Sequence, residues 1–200
     1  GSGLIKGIGP RIAERIVATL RSSGRFTIAL SGGSTPKRLH QILAAPPYSS
    51  TAGRKGEGGD VGQIDWSKVH VFWGDERAVP FQDSRNNAKM AFDTLLNFVP
   101  VPPAQIHVMR TDISPEQSAM EYEKILHQYF DDTPFSFDLV LLGMGDDGHT
   151  LSLFPGMPIV HETTAWAKSF WLQAQDMSRI TLTKTIVNRS AAVAFLTEGP

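Results

Sequence analysis

Three glycines, two aspartates and a histidine stand within seven residues at the start of "GMGDDGHTLSLFPG", positions 143–156. Asp147 and His149 flank a single glycine there. An aspartate beside a histidine is the minimum for a general base with an orienting carboxylate, because the carboxylate fixes the imidazole tautomer and raises its basicity. The glycines allow a tight backbone turn next to a ligand. The segment predicts a ligand loop with an acid/base pair; the alternative is a polar turn around a buried histidine.

Two other chemistries fit this segment less well. A metal centre needs more ligands than Asp147 and His149, and the remaining histidines show no HxH or HxxxH spacing. The glycine spacing also matches a dinucleotide fingerprint, but that fingerprint belongs to the first strand and needs an acidic residue at the end of the next one. We therefore expect neither a metal ion nor a dinucleotide in this loop.

A second segment, "SGGSTP" at positions 31–36, places two glycines and two hydroxyl side chains directly before a predicted helix. Gly32 and Gly33 permit close backbone approach, and the helix N-terminus supplies N–H groups that attract anions. Ser34 and Thr35 add hydroxyl groups. The segment lacks the GK[ST] ending of a Walker A motif. It predicts either a phosphate-binding loop or a plain turn with a hydroxyl cap.

A third segment, "WGDERAVP" at positions 73–80, carries three charged residues in a row. The planar guanidinium of Arg77 suits a phosphate or a developing oxyanion, and Asp75 could position a donor or a substrate hydroxyl. The alternative is a solvated turn in which Glu76 and Arg77 pair at little energetic gain. Arg179 joins these candidates only if its strand end faces the same site.

Composition restricts the classes of partner. The 200 residues are 41% hydrophobic, carry a formal net charge of −1 and include no cysteine. They can bury a substantial core but lack the basic excess of nucleic-acid-binding proteins. Without cysteine there is no thiol catalysis and no disulfide, which fits a reducing compartment. No apolar run is long enough for a membrane span, and no signal peptide is evident. We expect a cytoplasmic monomer that binds a small molecule, with neither nucleic acid nor a membrane as partner.

Hydrophobic periodicity predicts a regular alternation of helices and strands. The predicted strands are "RFTIAL" (25–30), "KVHVFWG" (68–74), "QIHVMR" (105–110), "FDLVLLG" (137–143), "RITLT" (179–183) and "AAVAFLTEG" (191–199). The predicted helices are 10–23, 37–45, 86–99, 114–130 and 184–190, with a further helix expected between the fourth and fifth strands and a loop at "DERAVPFQDS". Such alternation implies an α/β fold: an open, doubly wound, mostly parallel sheet with helices on both faces.

Residues 1–200 are expected to form a single α/β domain, with the Gly-, Pro- and Ser-rich stretch 46–63 as a flexible surface loop. In open sheets of this kind, ligands bind beyond the carboxyl ends of the strands. Each of the three candidate segments directly follows a strand. They are therefore expected to converge at one edge of the sheet.

The N-terminal stretch "LIKGIGPRIAERIV" (4–17) suggests a competing hypothesis. It looks like half of a helix-hairpin-helix, a module that grips the DNA backbone, but the preceding helix is missing. We interpret it as an ordinary helix with Pro10 in its first turn.

Taken together, the segments resemble the 6-phosphogluconolactonases, within the superfamily that also contains glucosamine-6-phosphate deaminase. The resemblance covers nearly the whole chain from about residue 11, except 46–63, and is carried by "FTIALSGGSTPKRLHQIL", "VHVFWGDERAVP", "NNAKMAFDTLL", "FDLVLLGMGDDGHTLSLFPG" and "RITLTKTIVNRSAAVAFLTEG". The deaminases follow "DGH" with an "IAFNEP"-like stretch. "TLSLFPG" in this chain is similar to the lactonase form.

The resemblance implies a Rossmann-like lactonase fold that hydrolyses 6-phosphoglucono-1,5-lactone to 6-phosphogluconate in the oxidative pentose phosphate pathway, with no metal or organic cofactor. His149 would be the general base, oriented by Asp147, and Gly145 with neighbouring amides would stabilise the oxyanion. The substrate and its phosphate would be bound by Ser31, Gly32, Gly33, Ser34, Thr35, Asp75, Arg77 and Arg179. A deaminase/isomerase and a non-catalytic sugar-phosphate-binding protein are the alternatives.

The sequence departs from the family pattern at three places. Leu151 stands where an alanine is usual, and is expected to crowd a following helix. The stretch "GSGLIKGIGP" replaces the usual first strand. The last strand ends in "FLTEGP" at Pro200, without the lysine, helix and strand that normally follow, so we expect a C-terminally truncated chain.

Overall fold

The computed structural model describes residues 2–49 and 63–197; positions 50–62 of the predicted loop lie outside the described residues. The described helices are α1 (Ser2–Ser22), α2 (Ser34–Leu43), α3 (Asn87–Ala91), α4 (Pro115–Phe130) and α5 (Lys184–Val187). The described strands are β1 (Phe26–Leu30), β2 (Val69–Trp73), β3 (Asp75–Arg77), β4 (Leu139–Leu142), β5 (Ala167–Leu172), β6 (Met177–Leu182) and β7 (Val193–Phe195). A π-helical turn, Phe92–Leu96, extends α3.

The main sheet has the strand order β2-β1-β4-β7, and all its pairings are parallel. Successive side chains of β4 pack into two different core clusters, which explains why the strand is a continuous apolar run. Leu139 and Leu141 enter the core cluster that α1 and α2 cover, whereas Val140 and Leu142 enter the cluster that α4 covers. A strand buried on both faces needs apolar residues at every position. The predicted doubly wound parallel sheet is confirmed.

A second sheet was not predicted. It has three antiparallel strands in the order β3-β6-β5. Three expectations are corrected here: "DERAVPFQDS" begins with strand β3 rather than a loop, "RITLT" is antiparallel, and the helix expected before it is replaced by β5 and a short 3-10 turn, Pro158–His161. Leu151 likewise lies in a turn with φ 54°, and residues 151–157 form no α-helix that it could crowd.

Gly74 joins the two sheets. Its N–H donates to the Leu30 carbonyl of β1 at 2.9 Å, and its carbonyl accepts the N–H of Leu182 in β6 at 2.8 Å. A Cβ at position 74 would overlap the side chain of Leu151. With Leu151 in its present position, a glycine at 74 lets the chain pass from the parallel to the antiparallel sheet without this overlap.

Two predicted helix starts differ from the structure. The helix α1 runs through Gly7, Gly9 and Pro10, so Pro10 lies inside it rather than in its first turn. A continuous helix has no hairpin turn at this point, which removes the geometric basis of the DNA-binding hypothesis. The helix α2 starts at Ser34 instead of residue 37. In contrast, α4 begins as predicted, with the Ser114 hydroxyl accepting the Gln117 N–H at 3.2 Å.

Candidate active site

The three candidate segments meet in one cleft of about 240 Å³. The cleft lies where β1, β2, β4 and β7 end, as expected of an open α/β sheet. Of the predicted site residues, it is lined by Ser31, Gly32, Gly33, Ser34, Thr35, Asp75, Arg77, Gly145, His149 and Arg179. Asp147 does not line the cleft, but its carboxylate contacts the imidazole of His149.

Asp147 and His149 form a short hydrogen-bonded pair. The Asp147 Oδ1 lies 2.5 Å from the His149 Nδ1 and 3.0 Å from the His149 backbone nitrogen. These two bonds hold the pKa of Asp147 below its ordinary value, the backbone bond being the larger cause. An ionised carboxylate only accepts hydrogen bonds, so in a neutral imidazole Nδ1 carries the proton and Nε2 keeps its lone pair. The arrangement leaves Nε2 of His149 available as a base.

The imidazole of His149 is held on two further sides. It stacks on the Phe154 ring at 4.2 Å between centroids, and a Cβ on Gly145 would overlap it. The Gly145 N–H donates to the His149 carbonyl at 2.9 Å, so in this structure that amide closes the loop instead of pointing at an oxyanion. The glycine at 145 is required chiefly by the space that the imidazole occupies.

The "SGGSTP" segment places the start of α2 at the cleft. Gly33 precedes the helix with φ 103°, a left-handed conformation that favours glycine, and no side chain caps the first turn. The N-terminus of α2 therefore presents its N–H groups and its positive dipole end to the cleft. Gly32 is also sterically required, because a Cβ there would overlap the side-chain oxygen of Asn87.

Two arginines from the antiparallel sheet face the same cleft. Arg77 of β3 and Arg179 of β6 are register partners, and the Nε of each is buried without a hydrogen-bond partner. Burial, followed by the charge of Arg77, lowers the pKa of Arg179. Arg179 Nη1 lies 3.6 Å from Asp75 Oδ2, which also accepts the Ser152 hydroxyl at 2.6 Å. The Asp75 carboxylate thus stands beside Arg179, whereas the guanidinium groups of Arg77 and Arg179 both line the cleft and suit an anion.

Three residues of this site were missed in the sequence. Asn87 lines the cleft and donates from Nδ2 to the Asp75 carbonyl at 3.0 Å. Ser152 bonds Asp75, and Gln175 accepts a hydrogen bond from Arg179 through its side chain. Asn87 begins a helix and Gln175 lies in the short turn before β6, so their local sequence carries no functional signal. Ser152 lies in "TLSLFPG", which indicated the lactonase family but gave no sign of a contact with Asp75.

The described residues contain neither a metal-binding cluster nor a membrane-spanning helix. Within 2–49 and 63–197, no three His, Cys, Asp or Glu side chains are grouped so that they could hold a metal ion. In the same part of the chain, every helix is too short or too polar to cross a bilayer.

Comparison with known proteins points to one family. The family model described as glucosamine-6-phosphate isomerases/6-phosphogluconolactonase matches residues 2–200. A rice protein (Oryza sativa subsp. indica) named "Probable 6-phosphogluconolactonase 3, chloroplastic" is 39% identical over 96% of this chain, and the chain spans only 55% of that relative's length. The "6-phosphogluconolactonase" of Synechocystis is 38% identical over 94% of this chain and 72% of its own.

Solved structures agree with these relatives. The fold is similar to the crystal structure of 6-phosphogluconolactonase from Thermotoga maritima, with a TM-score of 0.80 and 25% identity over 96% of this chain and 79% of that one. The 6-phosphogluconolactonase from Trypanosoma cruzi gives a TM-score of 0.77 at 26% identity, over 96% and 75% of the two chains.

Proposed function

The chain belongs to the family of glucosamine-6-phosphate isomerases and 6-phosphogluconolactonases, and from this premise we propose that it hydrolyses 6-phospho-D-glucono-1,5-lactone to 6-phospho-D-gluconate. One observation carries the proposal. The Asp147–His149 pair and the opposed arginines Arg77 and Arg179 bear on a single cleft. A lactone with a phosphate at its far end needs a base at one end of its site and cations at the other.

The proposed reaction begins at His149. Its Nε2 takes a proton from a water molecule, whose oxygen forms a bond to the lactone carbonyl carbon. The tetrahedral intermediate then collapses, the bond to the ring oxygen breaks, and the protonated imidazole returns the proton to that oxygen. Asp147 stabilises the imidazolium between the two steps. No acyl-enzyme is required, because a lactone is already an activated ester.

The phosphate is assigned to the part of the cleft that the two arginines and the start of α2 form. Arg77 and Arg179 supply positive charge, and the N-terminus of α2 supplies N–H groups with Ser34 and Thr35. Arg179 is almost fully buried and fixed by Asp75, so its charge is already in place before the ligand arrives. Such preorganisation lowers the entropic cost of binding.

The test uses freshly prepared 6-phosphoglucono-1,5-lactone. Acid release in a weakly buffered indicator assay should exceed the spontaneous rate in proportion to the amount of protein. Ammonia release from glucosamine 6-phosphate would instead support the isomerase branch of the family. Binding of 6-phosphogluconate without any turnover of the lactone would identify a sugar-phosphate-binding protein and overturn the proposal.

We further propose a cytoplasmic, monomeric protein whose described residues unfold as a single domain. The support is compositional: the lack of cysteine fits a reducing compartment. The name of the rice relative places that protein in the chloroplast, so cell fractionation of the source organism is the deciding measurement. Sedimentation and a single cooperative unfolding transition test the monomer and the domain.

A further inference from the structure

We propose that Glu76 is a positioning residue, which fixes Arg77 and Asn87 at the cleft by clamping strand β3 to the first turn of helix α3. The kinetic test of this inference rests on the proposed lactonase function. The amide titration and the phosphate-binding measurement do not. Neither the acid/base pair nor the phosphate contacts described above make use of this side chain.

Glu76 lies on the side of β3 that faces away from the cleft. Side chains alternate along a strand, and Asp75 and Arg77 line the cleft while Glu76 does not. Its side chain is fully buried. A fully buried carboxylate is retained only where hydrogen bonds compensate for its lost hydration.

Three backbone N–H groups supply part of that compensation. The Glu76 Oε1 accepts the N–H of Arg77 and the N–H of Asn87, both at 2.8 Å, and its Oε2 accepts the N–H of Ala88 at 2.9 Å. A single oxygen atom therefore joins the backbones of two cleft residues. Asn87 and Ala88 are the first two residues of α3, whose N–H groups have no partner within the helix.

The side chain of Asn87 completes the connection. Its Nδ2 donates to the Asp75 carbonyl at 3.0 Å, and its Oδ1 occupies the space beside Gly32. The clamp thus extends from β3 through α3 to the loop before α2, so it fixes the spacing between Arg77 and the proposed phosphate loop. A shift of about an ångström in that spacing is enough to weaken binding substantially.

The charge state of Glu76 determines how firmly it can hold. Burial raises its pKa to about 7, because the cost of desolvation exceeds the stabilisation from the three N–H groups, and the neighbouring Asp75 adds to the rise. Among the described residues, Arg179 of β6 and the neutral Tyr122 hydroxyl of α4 also interact electrostatically with Glu76. A protonated carboxyl presents an O–H donor among three N–H donors, so the clamp loosens as the pH falls below neutrality.

Steady-state kinetics of Glu76→Gln and Glu76→Ala against wild type test the inference. Glutamine keeps one acceptor oxygen and alanine keeps none, so KM should rise about tenfold in Glu76→Gln and further in Glu76→Ala. The kcat should stay within about threefold of wild type, because no hydrogen bond of the clamp involves His149. An unchanged KM in a folded Glu76→Gln protein, or a loss confined to kcat, would contradict the positioning role.

Glu162→Gln is the matched control. The Glu162 carboxylate also accepts two backbone N–H groups, from Thr164 at 2.8 Å and Ala165 at 3.0 Å, but it does not line the cleft. Its KM should equal that of wild type. A rise in KM equal to that of Glu76→Gln would mean that any loss of such a carboxylate loosens the fold, and the inference would fail.

Two measurements keep the inference testable if the chain does not hydrolyse the lactone. The amide resonances of Asn87 and Ala88 should titrate with a midpoint near 7 in wild type and lose this titration in Glu76→Gln. The calorimetric Kd of inorganic phosphate should rise about tenfold in Glu76→Gln but not in Glu162→Gln. An amide titration that persists unchanged in Glu76→Gln, or a Kd that does not change, overturns the clamp independently of the proposed reaction.

Discussion

Arg77 lies directly opposite Arg179 in the antiparallel register of β3 and β6. Like charges at directly opposite positions destabilise a sheet. The cost is raised further because Arg179 is buried and the Nε atoms of both guanidinium groups lack partners. An anion bound between the two side chains would remove this repulsion. If the proposed phosphate binds there, the pair would couple ligand binding to the stability of the second sheet.

Phosphorylated ligands should stabilise the protein measurably. At 6-phosphogluconate concentrations about 100-fold above Kd, linkage gives about 2.7 kcal/mol, which corresponds to a rise in Tm of several degrees. Arg179→Met should lose most of this rise, since it removes one cation of the pair. Thermal unfolding with and without ligand measures it. Arg110→Met, at an exposed arginine paired with Asp112 and Glu121, is the control and should keep the full shift.

Substitutions in the acid/base pair should reduce turnover rather than binding. His149→Gln should lower kcat by roughly 100- to 10,000-fold, because it removes the base of the proposed reaction. Asp147→Asn should lower kcat as well, since a neutral amide stabilises the imidazolium less and can donate from its NH2 group to Nδ1, which favours the wrong tautomer. Initial rates and the Kd of 6-phosphogluconate separate the two effects.

Asp146→Asn provides the control for the neighbouring carboxylate. Asp146 is exposed in the same loop and should be replaceable without loss of kcat. If kcat fell equally in Asp146→Asn and Asp147→Asn, the loop as a whole and not the hydrogen bond between Asp147 and His149 would be responsible.

Gly145→Ala should displace the imidazole of His149. The added methyl group would occupy the space of the ring, so the ring must leave its stack on Phe154 or the loop must shift. We expect kcat to fall at least tenfold while the melting temperature changes little, because the loop lies at the surface. Gly24→Ala, where a Cβ meets no atom within 4 Å, should leave both quantities unchanged. A fully active Gly145→Ala protein would contradict the crowding.

The pH dependence of stability should contain two opposing contributions. Burial lowers the pKa of His40 to about 4 and raises that of Glu76 to about 7. The unfolded chain binds a proton at His40 first, so the contribution of His40 is complete above about pH 6.5 and is lost as the pH falls towards 4. The contribution of Glu76 is complete below about pH 4.5 and is lost as the pH rises through 7. Each amounts to about 3 kcal/mol.

Single variants separate these contributions. Relative to wild type, the unfolding free energy of His40→Gln should rise as the pH falls from 6.5 to 4.5, and that of Glu76→Gln should fall over the same range. Urea unfolding at several pH values measures both. His161→Gln, at an exposed histidine, is the control and should follow the wild-type curve. Parallel curves for all variants would show that neither buried group carries a shifted pKa.

The main sheet could be predicted because its strands are mostly apolar, as in "LVLL" of β4. The second sheet could not, because β3 consists of Asp75, Glu76 and Arg77, a sequence typical of a solvated turn. What makes this strand possible is tertiary: Glu76 is satisfied by N–H groups of α3, and Asp75 by Ser152 and Arg179. Such compensation comes from residues distant in sequence and has no local pattern.

The convergence of the three segments was predictable because the strand-end rule needs only the order of elements. The residues that connect the segments were not. Asn87 contacts both Asp75 and the space beside Gly32, yet in the sequence it only begins a helix. Residues that join two loops through an amide group become recognisable only once the loops are placed in space.

The position of Gly74 at the junction of the two sheets also restricts which substitutions this sequence can accept. Its backbone N–H and carbonyl form hydrogen bonds with different sheets. The Leu151 side chain fills the volume that a Cβ would need. A larger residue at 74 is therefore compatible with the fold only when a smaller one stands at 151. The residues at positions 74 and 151 should therefore vary together during evolution. Which residues are accepted at 151 should depend on the residue that stands at 74.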